Sequence, residues 1–563
     1  MLNNAKTSKI LLAILLTLII FSALLYPRTQ TLNGYTFIDE TFYLKHAAQF
    51  YWAVSNHEFE ATFLVIHPGV PTLWLGSAAF WTVTPDFSER DTIITPDGHF
   101  REFLNEHNQT YESMQVYTRT MVILFNSLCL AGIFLLGWRL IGRWQAAGAV
   151  LLAGFSPYFF DFSRFLHIDG PLSILMLAAL LAFLVYLKEG KWGWLALSAL
   201  AIGLSTLTKV IGLIVLGVIG ILALLEWARP SYERFGKKLR WEGFKKLFGA
   251  MLLLVFLTAL TAFIVWPALW VTPGEAIGRI FGFILDRTSG ADLSPMFFNG
   301  DIIPDGAIGW KYFYYYPLVY LWHSTPVSLF GLAALLLLFI FRPKPVFEEI
   351  PWNTIGKIML YALVYTLLMT SSKQKFDRYI LPASLALEIP AALGWWYAAV
   401  WAGGKLKRLQ SWFPIAMLGA AVLVQGLLLL QVFPYGISYF NPLMGGPQKA
   451  PQVLQIGSGE GLDLAAEYLT TVPNKKDLVI RSPYSSTLDY HFYRQVEGVP
   501  LYEAQGFDKT FEADYVVLYL NQVQRGMSGP IVEFLADKPA EYTVVINGIE
   551  YAWIYRMSDF VDQ

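Results

Sequence analysis

Asp39 and Glu40 are two adjacent carboxylates, set among Tyr35, Phe37, Phe42 and Tyr43 a few residues past the apolar run Ile10 to Tyr26. Aromatic residues favour the lipid–water boundary. Two acids there suit chemistry on a substrate whose tail is in lipid and whose head group is in water; a plain polar end to a membrane span is the competing explanation. Three further stretches carry groups of the same kind. Ile66-His67-Pro68-Gly69-Val70-Pro71 is a rigid turn, and Asp161 to Pro171 holds Asp161, Arg164 and Asp169. Ser371 to Pro382 holds Lys373, Lys375, Asp377, Arg378 and Tyr379. Lys209 interrupts an apolar stretch from Ala196 to Leu225, where an ionisable group is costly unless partnered. Interfacial snorkelling is the alternative use for Arg378 and the other lysines.

The elements that position these groups are membrane helices. The chain has 563 residues, 55% hydrophobic and 15% charged, whereas a soluble domain carries about 25% charge. Mean hydropathy is +0.46. A net charge of −1, with basic residues spread over loops, gives no footprint for nucleic acid. The single cysteine, Cys129, excludes an intrachain disulfide framework. Runs of about 20 apolar residues predict about eleven spans. They lie near 9–26, 115–137, 145–160, 170–187, 192–207, 210–227, 248–270, 323–341, 356–371, 379–402 and 412–433. The first is expected to be retained rather than cleaved.

Alternate loops carry the basic residues, including Arg139 and Arg143, Lys188 and Lys191, Lys237 and Lys238, Arg342 and Lys344, and Lys405 and Lys407. Under the positive-inside rule these loops are cytoplasmic, which puts Asp39, Glu40, Asp161, Asp169 and Asp377 outside. Val70 to Val83 is then an amphipathic or partly inserted segment of a long outer loop, 27–114, because a crossing there would invert every later loop. A second outer loop, 271–322, ends in Trp310 to Pro317, which reads as an interfacial aromatic belt. Beyond Pro434 hydropathy falls. The expected organisation is an all-α polytopic membrane domain over 1–433 and a small soluble extracytoplasmic α/β domain over 434–563. Strands are predicted at 478–481, 515–520, 542–546 and 551–555, with helices near 462–469 and 530–536. Gly457 to Gly461 lacks the spacing of a dinucleotide fingerprint and the lysine of a P-loop, so it reads as a turn before a helix.

The order and common membrane side of these motifs resemble the GT-C membrane glycosyltransferases. The resemblance is to the protein O-mannosyltransferase and aminoarabinose-transferase branch, including RgtA/B/C/D-like enzymes. It rests on the Asp39-Glu40 pair after the first span, the His67-Pro68-x-x-Pro71 turn, and the Arg164-x₄-Asp169 stretch. Leu207-Thr208-Lys209 and Arg378 to Pro382 add to it, and so does Asn441 to Gly446. The resemblance implies a sugar donor on a polyprenyl phosphate or diphosphate, and a protein, lipid or glycan acceptor presented from outside a bacterial plasma membrane. It implies Asp39 as base, Glu40 orienting it or holding the sugar, and Asp169 as second acid, with Asp161 as its runner-up. Arg378 and Lys209 would meet the phosphate, with Lys373 and Lys375 in reserve; Tyr379 belongs to the same motif, and Arg164 would hold the loop or touch substrate. Relatives place a glutamate before the proline turn where this chain has Val65-Ile66-His67. No cofactor follows from that stretch: a divalent metal ion held by His67, with His323, stays open beside simple hydrogen bonding. A transporter or flippase of lipid-linked sugars is the competing class, although such proteins usually place charges at the midplane of repeated halves.

The sidedness has a direct check. In a chain lacking Cys129, Lys238→Cys should resist an impermeant thiol reagent in intact cells and Ser485→Cys should react. The opposite labelling would invert the whole arrangement.

Overall fold

A computed structural model describes residues 2–65, 67–89, 104, 109–228, 236–289, 293–304, 306, 309–404, 411–473, 478–492, 497–498, 512–527 and 529–560. The helices in chain order begin with α1 (Leu2–Arg28), α2 (Glu40–Ser55) and α3 (Val70–Val83). The bundle continues through α4 (Tyr111–Ile141), α5 (Arg143–Gly154), α6 (Pro157–Phe162), α7 (Asp169–Glu189), α8 (Trp192–Thr208), α9 (Leu213–Trp227) and α10 (Gly236–Val265). After α11 (Pro273–Ser289), a short hairpin pairs β1 (Met296–Phe298) with β2 (Asp301–Ile303). Then come α12 (Tyr315–His323), α13 (Pro326–Phe341), α14 (Trp352–Thr370), α15 (Leu381–Gly404) and α16 (Phe413–Val432).

Every predicted span has a helix, but the helices are not uniform. Among the described residues six are long and apolar enough to cross a bilayer, or seven if α12 and α13 form one bent span. Those two meet at 116°, where Thr325 caps α13 and Pro326 starts it. The segment predicted at 145–160 is also broken. α5 ends at Gly154, and Ser156-Pro157 restarts the chain as α6, because proline supplies no N–H to continue the ladder. α3 occupies the 70–83 segment and packs on α2, α4 and α8. It is not amphipathic: its exposed positions carry Trp74 and Trp81 instead of charges. The aromatic run 310–317 also departs from a belt. Tyr312, Tyr315 and Tyr316 are buried, and Phe298 packs on the first two; only Trp310 and Phe313 face outward.

The chain after 434 adds α17 (Gly446–Val453), α18 (Leu462–Thr471), α19 (Ser485–Phe492), α20 (Leu520–Gln524) and α21 (Gly529–Leu535). Its strands are β3 (Ile480–Ser482), β4 (Glu497–Gly498), β5 (Tyr515–Tyr519), β6 (Tyr542–Ile546) and β7 (Ile549–Arg556), in the order β4-β3-β5-β7-β6. β3 runs parallel to β4 and β5; β7 is antiparallel to β5 and β6. Apolar residues of α18, β5 and β7 join the same buried cluster as α4, α7 and α15, so the two parts share one core.

They also meet through backbone. Ile38 N–H donates to Ser458 O at 2.9 Å, one residue before Asp39. Gly459 adopts φ +113°, and a Cβ there would lie 2.0 Å from Thr36 O. Glycine is therefore required twice over, by dihedral and by space. Gly459→Ala should strain this joint by about 1–3 kcal/mol. Hydrogen exchange should then accelerate at 34–39 and 457–461; unchanged protection would mean that other contacts hold the segment.

Candidate active site

Four of the predicted charges converge at one end of the bundle. Arg378 bridges two carboxylates: Nη2 lies 3.2 Å from Asp39 Oδ2, and Nε lies 3.2 Å from Asp169 Oδ2. Lys209 Nζ lies 3.0 Å from Asp169 Oδ1 and 3.9 Å from the centre of the Tyr379 ring. The buried Lys209 of the apolar stretch thus has a partner, as the cost of an isolated charge demands. His167 stands between the acids. Asp169 N–H donates to its Nδ1 at 3.3 Å, which leaves the ring proton on Nε2, 3.3 Å from Asp39 Oδ2.

Local backbone explains each placement. Lys209 is the extended residue that ends α8, so its side chain leaves the helix stack. Arg378 lies on a short 3₁₀ turn, where its own N–H donates to Asp377 Oδ1 at 2.8 Å. Gly170 lets α7 start tight against the end of α6, since a Cβ would come 2.0 Å from Phe162 O. Within the cluster only Asp39 is open: its side chain is 37% exposed, against 2% for Asp169. Burial pushes the Asp39 carboxyl up, but Arg378, followed by His167, outweighs it and holds the group below the usual carboxylate range.

Glu40, the next residue, points elsewhere. It receives Arg119 Nη2 at 2.6 Å and Nε at 2.7 Å, Leu166 N–H at 3.0 Å, and Gln115 Nε2 at 3.3 Å. Arg119 further donates to Leu32 O and Tyr35 O, each at 2.8 Å. Glu40 therefore joins the segment before α2 to α4 and to the 163–168 loop, with no oxygen left open.

Asp161 and Arg164 form a second joint, 3.0 Å apart. Asp161 Oδ2 also accepts from Tyr35 O–H at 2.5 Å and Ile437 N–H at 2.7 Å, while Arg164 donates to Pro434 O at 2.8 Å. Arg164 pairs with Asp161, then, and not with Asp169. Lys375 turns its ammonium onto Thr370 O and Ser372 O, and burial pushes it down to about 8. Lys373 sits half-buried in the same loop. His67 precedes a turn that abuts the cluster, because Gly69 N–H donates to Thr208 O and lies against Tyr43 and Ile168. His323 instead faces Asp377 at 3.4 Å and stacks on Tyr158 at 3.8 Å. Among the described residues no group of three or more His, Cys, Asp or Glu is placed to hold a metal ion.

Sequence reasoning missed His167 and Arg119. Both left a signal: His167 is two residues before Asp169 in a stretch already singled out, and Arg119 is a lone cation in the apolar run of α4. The arrangement can take a proton at Asp39 and meet an anion with Arg378 and Lys209.

Comparisons with known proteins agree with this architecture. The family model for dolichyl-phosphate-mannose-protein mannosyltransferase matches residues 112–266, which include the Asp161–Pro171 stretch and Lys209. A search of curated proteins finds no match. The chain is similar to ArnT from Cupriavidus metallidurans in the apo state, at 12% identity and a TM-score of 0.50, covering 98% of this chain and 99% of that one. ArnT from the same organism bound to undecaprenyl phosphate aligns at 12% identity over 97% and 98% of the chains, with a TM-score of 0.46. The archaeal oligosaccharyltransferase AglB from Archaeoglobus fulgidus, in complex with an inhibitory peptide and a dolichol-phosphate, aligns at 12% identity over 92% and 70%, with a TM-score of 0.45.

Removing one member of a buried pair leaves an uncompensated charge, which costs about 3–5 kcal/mol. Arg119→Leu should therefore lower the thermal midpoint far more than Asp39→Asn, whose carboxylate is partly solvated. Equal, small shifts would refute the joint assigned to Glu40.

Proposed function

We propose that this chain, an integral membrane protein of GT-C fold, transfers a hexose or pentose from a polyprenyl-phosphate-linked donor to an acceptor hydroxyl. The reaction takes place on the extracytoplasmic side. The observation that carries this reading is the exposed Asp39 carboxylate sharing one guanidinium with the buried Asp169, beside Lys209. The family model's description, with its dolichyl-phosphate-mannose donor, supports the lipid-phosphate sugar. The basic loops at the far end of the bundle support the sidedness.

In this reading Asp39 takes the proton of the acceptor hydroxyl while its oxygen attacks the anomeric carbon. The bond from that carbon to the phosphate oxygen breaks, and the electron pair leaves on the phosphate. Arg378 and Lys209 neutralise the departing anion, which is the largest charge to develop. Asp169 keeps both cations in place before the donor arrives, and the His167 Nε2–H orients Asp39. Paired with Arg378, Asp39 is too weak a base. A donor phosphate that draws the guanidinium toward itself removes that partner and raises the Asp39 pKa, so donor binding arms the base.

Two measurements test this. Asp39→Asn keeps size and polarity but not basicity, so transfer from a radiolabelled polyprenyl-phosphate sugar should fall by about 10²-fold or more with donor binding retained. In the wild type, activity falls as Asp39 gains its proton. The acid limb of kcat, which reports the donor-bound enzyme, should therefore lie at higher pH than that of kcat/KM. Wild-type transfer by Asp39→Asn removes the base assignment; coincident limbs remove the arming by phosphate.

A further inference from the structure

Two helix breaks meet against one face of α15. α5 gives way to α6 at Ser156-Pro157, and α12 gives way to α13 at Ser324-Thr325. Positions 381, 384, 385 and 388 share a side of α15 by helical spacing, and together with the breaks they border a cavity of about 20 Å³. Its polar lining comes from Ser156, Tyr158, His323, Ser324, Ser384 and Glu388. A cavity needs about 10–15 Å³ and two to four polar partners to hold a water.

Two buried groups in that lining have capacity to spare. His323 ends α12 and is 5% exposed. Its ring stacks on Tyr158, and Nε2 lies 3.4 Å from Asp377 Oδ2. Nδ1 has no hydrogen-bond partner among the described residues. Buried polar atoms in folded proteins nearly always have one, from protein or from water. With the ring proton on Nε2 toward Asp377, Nδ1 is an acceptor. Glu388 is buried as well, and the Ser328 hydroxyl lies 2.7 Å from one of its oxygens and 2.9 Å from the other. One hydroxyl proton leaves the carboxyl with lone pairs unmet.

We infer that the cavity binds a water that donates to His323 Nδ1 and to Glu388, and that His323 is a positioning residue for Arg378. A bond at Nδ1 keeps the ring proton on Nε2. Nε2 faces the Asp377 carboxylate, whose other oxygen accepts the Arg378 N–H at 2.8 Å. The imidazole thereby fixes the 3₁₀ turn, and the turn aims the guanidinium at Asp39 and Asp169. The consequence for sugar transfer rests on the proposed role of Arg378 at the donor phosphate; the water and the turn do not.

A cryo-electron microscopy map of the full chain in lipid nanodiscs, sharp enough to show other buried waters, should hold a peak between His323 and Glu388. A dry cavity in such a map overturns the water. His323→Phe keeps the stack on Tyr158 and removes both ring nitrogens. Hydrogen exchange at the Arg378 N–H should then accelerate about tenfold, the worth of one hydrogen bond. His323→Gln, whose amide N–H takes the place of Nε2–H, should restore protection. Unchanged protection in His323→Phe, or equal loss in His323→Gln, overturns the positioning. In a transfer assay His323→Phe should move the acid limb of kcat/KM to higher pH, because Asp39 loses its guanidinium; a stationary limb overturns the link from turn to guanidinium. A wild type without transfer removes the proposed reaction instead, and the map and the exchange still decide the water and the turn.

Discussion

The buried pair of Glu40 and Arg119 is the constraint on which the site rests. Taking two charges out of water is costly unless every remaining lone pair and donor is met. Here each is met by something that matters to the neighbouring residue: Leu32 and Tyr35 before α2, Gln115 on α4, and Leu166 in the loop that carries His167. The pair thereby sets three separate stretches in register. Since Glu40 is turned into the protein, the chain direction at the start of α2 leaves Asp39 facing the opening. Two adjacent carboxylates take different tasks because their surroundings differ, one saturated and one shared.

Around Asp39 two acids face two cations, and His167 lies between the acids. In the proposed reaction a donor phosphate disturbs that balance, because among the described residues Arg378 is the cation that touches Asp39. Asp169, held by both Lys209 and Arg378, keeps the cations from leaving with the anion. In that proposal the contacts that stabilise the cluster are also those that a donor phosphate engages.

Much of this was legible in the sequence. The helices at each expected span follow from apolar length, and the strands after 434 from short runs rich in Val, Ile and Tyr, with β5, β6 and β7 near their predicted bounds. The GT-C fold was named from six short motifs, and the structural likeness agrees with it. Asp39, Asp169, Lys209 and Arg378 could be nominated because charge at a membrane boundary stands out against an apolar chain. Which acid faced which cation could not, since Asp39 and Arg378 lie 339 residues apart and no local rule pairs them. The same limit hid the role of Glu40, whose partner lies on another helix. The aromatic run at 310–317 misled because composition reports affinity for an interface, while packing on Phe298 decides burial.

The long separations have a consequence for how the protein is made. Arg164 reaches Pro434 across 270 residues, Asp161 reaches Ile437 across 276, and Ile38 bonds to Ser458. None of these bonds can close until the last membrane helix has been threaded and the region beyond it has emerged. A ribosome-bound intermediate with the first ten helices inserted would hold Asp39, Asp169 and Lys209 without their guanidinium, and with Ile38 not yet bonded to Ser458. The full set of joints therefore forms only after the region beyond 434 is made. The region after 434 is the closing stitch of the membrane part as much as a module beside it.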